Sequence, residues 1–184
     1  LAIPDLRLFF PERIDGGALL LQRLKYEDAE EIFFTYASKP EATRYVSWPV
    51  HQRIADTRAF LRYAVRAWNA GTDFTYSIRL KGTYRLAGSI GAVIKGTEVQ
   101  VGYIVSPALW GRGIATQACQ MMGALLKQIP DFTRIWTLVD AENKASIRVL
   151  EKCGWTCEGL HPAYFVFVNQ GNLPKDCYVF TLPR

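Results

Sequence analysis

The chain of 184 residues is 49% hydrophobic and carries 22 Lys plus Arg against 17 Asp plus Glu, a net charge of +5. That is enough apolar material for one domain with a substantial core and too little length for two, and no apolar run approaches the roughly 20 residues that span a bilayer. The positive balance suits nucleic acid, acidic protein surfaces or a polyphosphate ligand alike, so it selects none of them.

Residues 18–24 read as a first strand after an irregular lead-in containing Pro11 and Gly16-Gly17. Ala29, Ile32, Phe33 and Tyr36 then recur at helical spacing behind Glu27 and Asp28, acids that the helix dipole favours in a first turn. Residues 38–49 form a loop with Arg44, Tyr45 and Trp48 between prolines. Its aromatics either cover the core or face a substrate. Phe60, Leu61, Ala64, Val65 and Trp68 mark a further helix, stopped at Gly71.

From Phe74 the period changes to two. Residues 74–80, 85–94 and 99–105 read as three antiparallel strands joined by turns at Lys81-Gly82 and Lys95-Gly96. Gly88 and Gly91 weaken the second as a strand and mark either a bulge or a close approach. In the third strand Val99, Val101, Tyr103 and Val105 share one face, with Gln100, Gly102 and Ile104 on the other. Pro107 ends it, and Trp110-Gly111-Arg112-Gly113 leads into an amphipathic segment with Ala115, Ala118, Cys119, Met122, Leu125, Leu126 and Ile129 at helical spacing.

Gly111 and Gly113 thus precede a helix N-terminus, where unpaired backbone N–H groups and the dipole favour an anion. No Lys-Ser/Thr follows the glycines and no acid stands where a dinucleotide ribose needs one, which argues against nucleotide loops of either kind. Residues 134–139 form a strand parallel to the third one, because a helix joins them. Asn143 then caps a helix over 144–153 that Gly154 stops, and residues 163–168 and 176–182 read as a closing hairpin around 169–172. Cys119, Cys153, Cys157 and Cys177 lack paired CxxC spacing, so they are expected as reduced packing residues with no metal site.

Two blocks carry a resemblance. Gly102-Tyr103-Ile104-Val105-Ser106-Pro107 with Trp110-Gly111-Arg112-Gly113-Ile114-Ala115-Thr116, and Asn143-Lys144-Ala145-Ser146 with Val149-Leu150-Glu151-Lys152-Cys153-Gly154-Trp155, resemble the GCN5-related N-acetyltransferases. Within them they resemble the branch that acetylates the N-terminal alanine or serine of ribosomal proteins. The resemblance implies a single α/β domain over 1–184 with a mixed sheet of about seven strands, helices on both faces, and an acetyl-CoA core at about 98–155. It also implies that the pyrophosphate of coenzyme A rests on Gly111, Arg112, Gly113, Ile114, Ala115 and Thr116, with pantetheine beside Ile104 and Val105. Trp110 stands where the broader family has Gln or Arg, and Trp is common in this branch. Asn143 is implied to meet the cofactor or a water beside it, and Ser146 to lie near the thioester sulfur.

Amine attack on a thioester needs a neutral amine, a stabilised oxyanion and a proton for the leaving thiolate. A backbone N–H near Val105 answers the second need and Ser146 the third. For the base, Gln100 replaces the glutamate that family members commonly carry, and Gln takes no proton. Glu98 acting through water is the alternative, against an exposed strand-end charge. An α-amine is roughly a tenth neutral at pH 7 and a lysine only about one part in 2,500, so a weak base favours a chain terminus.

Trp48, Tyr76, Gln100, Tyr164 and Tyr178 are acceptor-side candidates. Lys144, Arg148 and Lys152 form a basic stripe, read as a solvated face. The expected partners are acetyl-CoA and an amine acceptor, in a cytoplasmic monomer or homodimer that contacts neither membrane nor nucleic acid. A small-molecule amine acetyltransferase, an acyl-CoA-binding module without turnover and, on the +5 charge alone, a basic nucleic-acid-binding protein are the rival readings.

Overall fold

The computed structural model describes residues 5–184. Its eight strands lie in one sheet in the order β1-β2-β3-β4-β5-β6-β8-β7. β1 (Arg13–Gly16), β2 (Leu19–Arg23), β3 (Asp73–Leu80), β4 (Leu86–Lys95) and β5 (Glu98–Val105) run antiparallel in sequence. α4 (Ile114–Lys127) carries the chain over to β6 (Arg134–Asp140), which is parallel to β5. α5 (Lys144–Lys152), β7 (Thr156–Phe165) and β8 (Lys175–Thr181) complete the fold, with β8 between β6 and β7.

Helices cover both faces. Val99, Val101 and Val105 pack with Ala118, Cys119, Met122 and Leu126 of α4 and Leu150 of α5. On the other face Ile104 packs with Ile32 of α1 (Ala29–Ile32), with Tyr36, and with Leu61 and Ala64 of α3 (Ile54–Ala70). Fully burying an apolar side chain of this size contributes about 1.5–3 kcal/mol, so the stripes on α3 and α4 fix which way each helix faces. Gly71 and Gly154 end α3 and α5 at φ +72° and +77°, left-handed stops that suit glycine.

Four expectations need correction. The lead-in holds β1, a polar edge strand whose single apolar residue, Ile14, gives no alternation to read. The first helix is broken: α1 is followed by a π-turn at Phe33–Ala37, and a short α2 (Pro40–Thr43) occupies the expected loop. The closing strand starts at Thr156, seven residues earlier than 163, and the sequence hides it because this edge strand is largely exposed. It also bulges between His161 and Phe165.

Gly88 sits where the β3–β4 register shifts, so the bulge reading holds. A Cβ there would fall on the Ile104 carbonyl oxygen, backbone that cannot give way. Gly88→Ala is expected to cost about 1–3 kcal/mol, the range for overpacking. A lower urea midpoint at unchanged m-value is the check.

Candidate active site: the wedge between β5 and β6

β5 and β6 pair only from Glu98–Arg134 to Gln100–Trp136. Beyond that point the buried Thr137 side chain takes over, its Oγ1 donating to the Val101 carbonyl at 2.7 Å in place of a ladder bond. From there the pairing lapses, and a wedge opens toward Val105 and Asp140.

The ladder decides which backbone groups face this wedge. Ser106 N–H donates to the Ala87 carbonyl on the β4 side, at 2.7 Å. Successive residues of a strand alternate their hydrogen-bonding sides. Ile104 therefore spends its backbone on Ser89 of β4, and its side chain is buried with α1 and α3. Of the two residues expected beside pantetheine, Ile104 thus has its backbone bonds on the β4 side. Tyr103 and Val105 turn their polar groups into the wedge instead. The Trp110 indole Nε1 donates to the Val105 carbonyl at 2.9 Å, which leaves the Val105 N–H as a donor on the open side.

At the wedge mouth Gly111 and Gly113 have φ +76° and +74°, with nothing within 4 Å of where a Cβ would stand. Gly113 is the N-cap of α4, and the cap makes no side-chain hydrogen bond. No acid lies in the first turn. The N–H groups of Ile114, Ala115 and Thr116 thus end in a cradle open to an anion, with Arg112 exposed beside it.

α5 brings the hydroxyl. Asn143 is its N-cap, accepting from Ser146 N–H at 3.2 Å, as the sequence suggests. Ser146 Oγ lies 2.6 Å from the Tyr103 hydroxyl, and burial pushes the Tyr103 phenol well above its ordinary pKa. The pair is a proton-bearing hydroxyl relay at one flank of the wedge. Sequence reasoning missed Tyr103 because it shares a face with Val99, Val101 and Val105, and so counts as core.

The acceptor-side candidates separate. Trp48 packs against the cluster that contains Ile104, its ring 5.0 Å from His51 and 6.2 Å from Phe60. Gln100 lies at the apex, in the last β5–β6 pair. Tyr76 is fully buried, edge-on to Trp68 and donating to the Pro11 carbonyl at 2.7 Å, so it is a core residue out of reach of a substrate. Tyr164 stands half-exposed on the bulge of β7, the outer edge strand, its ring beside His161. Tyr178 pairs with Val139 and packs on the α4–α5 side of the core. Glu98 closes the β4–β5 turn, exposed and paired with Arg134 below the apex, in keeping with a strand-end charge. Lys144, Arg148 and Lys152 are exposed, in keeping with a solvated face.

His51 Nδ1 lies 2.7 Å from the Thr57 hydroxyl, and burial lowers the imidazole pKa. A base depressed in the folded state leaves the unfolded chain to bind the proton first, so stability is lost as pH falls below about 6.5. The urea midpoint is expected to fall between about pH 7 and pH 5.5, by less in His51→Asn than in the wild type.

The acetyltransferase (GNAT) domain family matches residues 18–156. An uncharacterized N-acetyltransferase of Bacillus subtilis, YoaA, is 26% identical over 174 residues, covering 93% of this chain and 96% of its own. Among solved structures, the microcin C7 self-immunity acetyltransferase MccE, in complex with acetyl-CoA and AMP, superposes with a TM-score of 0.83 at 18% identity. That match covers 95% of this chain and 97% of the other. RimL, a ribosomal L7/L12 α-N-protein acetyltransferase in complex with coenzyme A, gives a TM-score of 0.83 at 18% identity over 93% of this chain and 97% of its own. These likenesses are of fold. Among the described residues no helix is long and apolar enough to cross a membrane.

Proposed function

We propose, on the premise that this chain belongs to the GNAT acetyltransferase family, that its acceptor is the α-amino group of a protein, ribosomal proteins being the leading class. Its activity is acyl transfer to an amine with acetyl-CoA as donor. One N-acetyltransferase domain spans 1–184 in this reading, with residues 98–155 as its acetyl-CoA core.

Acetyl-CoA supplies the activated acetyl group and carries the pyrophosphate that an open helix N-terminus accepts. Gly111, Arg112, Gly113, Ile114, Ala115 and Thr116 would hold that pyrophosphate. The Val105 N–H, aimed into the wedge, would stabilise the carbonyl oxygen as charge develops on it. As the amine nitrogen bonds to the carbonyl carbon and the C–S bond breaks, Ser146 would hand its proton to the departing thiolate and be reprotonated by Tyr103, which takes up through water the proton that the amine sheds, while Asn143 holds the first turn of α5 in place.

The observation that carries the α-amine reading is the chemistry of the wedge. Its apex holds a glutamine, its flank two hydroxyls, and the carboxylate at its mouth, Asp140, is buried with its oxygens engaged by Gln170 and by the Glu142 N–H. Such a site draws on amines that are already neutral, and α-amines far exceed lysines in that fraction at neutral pH. The RimL likeness supports the same direction at the level of fold.

The test is release of free thiol from acetyl-CoA against peptides beginning with Ala, Ser or Thr and against small amines. Peptide turnover is the expected result. Turnover of small amines alone moves the assignment to a metabolite acetyltransferase, and tight coenzyme A binding without any turnover moves it to a binding module.

A further inference from the structure

Residues 44–53, between α2 and α3, lie in no helix or strand, yet a side chain from the far end of the sequence grips residues 43–50 at three points. Asn169 Nδ2 donates to the carbonyls of Thr43 (2.7 Å) and Trp48 (2.9 Å), and its Oδ1 accepts from Val50 N–H at 2.9 Å. The neighbouring Gln170 Nε2 donates to the Arg44 carbonyl and to Asp140 Oδ2, each at 3.0 Å.

Both residues sit on a short turn seated by Phe167, which is buried and edge-on to Phe165. Asp140, 1% exposed, is the last residue of β6, and its carbonyl accepts from Asn143 N–H at 2.8 Å. A continuous path of hydrogen bonds therefore joins the Trp48 loop to the wedge mouth and to the N-cap of α5.

We propose that Asn169 and Gln170 are positioning residues that clip residues 43–50 beside the wedge and thereby set the affinity for the acceptor amine. A loop fixed in advance has less conformational entropy to lose when an acceptor binds. The donor cradle at Gly111–Thr116 shares no bond with the clip, and Gln170 still holds Asp140 when Asn169 is replaced, so the groups on the coenzyme A side stay in place. The inference rests on acetyl transfer with the Trp48 loop on the acceptor side, and not on which amine is used.

Asn169→Ala is expected to raise the KM for the amine about tenfold or more, with kcat and the calorimetric Kd of coenzyme A nearly unchanged. Asn169→Asp keeps the acceptor for Val50 but has no donor for Thr43 and Trp48, so it behaves like the alanine variant. In both, hydrogen exchange quickens at residues 43–51 of the full chain and not in α4 or α5. The amine used is whichever peptide or small amine the wild type turns over best, so loss of the α-amine reading leaves this test standing. An unaltered amine KM, parallel loss of amine and coenzyme A affinity, or unchanged exchange at 43–51 overturns the clip.

Discussion

Ser146→Ala is expected to lower kcat for acetyl transfer by about 10²-fold, near 2.7 kcal/mol of barrier, while coenzyme A binds as before. The hydroxyl lost is the one held 2.6 Å from Tyr103, and alanine leaves the helix and its Asn143 cap intact. Tyr103→Phe keeps the ring in the core and breaks the same bond, for an expected loss of about tenfold. Because the two hydroxyls act as a unit, the double variant falls little below Ser146→Ala alone. Steady-state kinetics of all three, with calorimetry of coenzyme A, check this. Losses that multiply in the double variant would mean that the two hydroxyls act separately.

The second large effect belongs to the donor cradle. Replacing Gly111 and Gly113 together by alanine places two side chains at φ +76° and +74°, which costs about 1–2 kcal/mol at each position or forces the loop to flip. The expected outcome is a Kd for coenzyme A weakened about 10²-fold, since either response withdraws the first-turn N–H groups of α4 from an anion. Gly82, also at positive φ and with open space around it, is the control, because it lies in the turn after β3. Gly82→Ala shares the strain and should leave coenzyme A binding unchanged.

What was legible in the sequence is what short-range physics dictates. The alternation in β3, β4 and β5, the amphipathic stripe of α4, the Asn143 cap and the left-handed stops at Gly71 and Gly154 all follow from neighbours within a few residues. The cradle glycines belong to that group, since a glycine pair before a helical stripe places them at its N-terminus.

The parts that escaped depend on distant contacts or on faces that a period of two cannot rank. Tyr76 alternates correctly but points into the core, and the strand pattern does not say which face meets a substrate when helices cover both. Tyr103 looked like one more core residue until α5 placed Ser146 against it. Ile104 and Val105 are adjacent in sequence, and only the β4 register tells which of the two faces the wedge. β1 and β7 are exposed edge strands, so burial imposed no clean alternation on them. The Asn169 and Gln170 bonds span 30 to 126 residues and have no local signature at all.

The most direct measurement takes one peptide carrying both a free α-amine on an N-terminal Ser and an internal lysine, and locates the acetyl group by fragmentation mass spectrometry after reaction with acetyl-CoA at neutral pH. Acetyl found at the terminus, with the lysine unmodified and the label reduced about 10²-fold in Ser146→Ala, is the expected result. Acetyl on the lysine ahead of the terminus would contradict the account, because among the described residues the wedge presents a glutamine, two hydroxyls and a buried Asp140 carboxylate already bonded to Gln170 and Glu142, a set poorly suited to take a proton from so basic an amine.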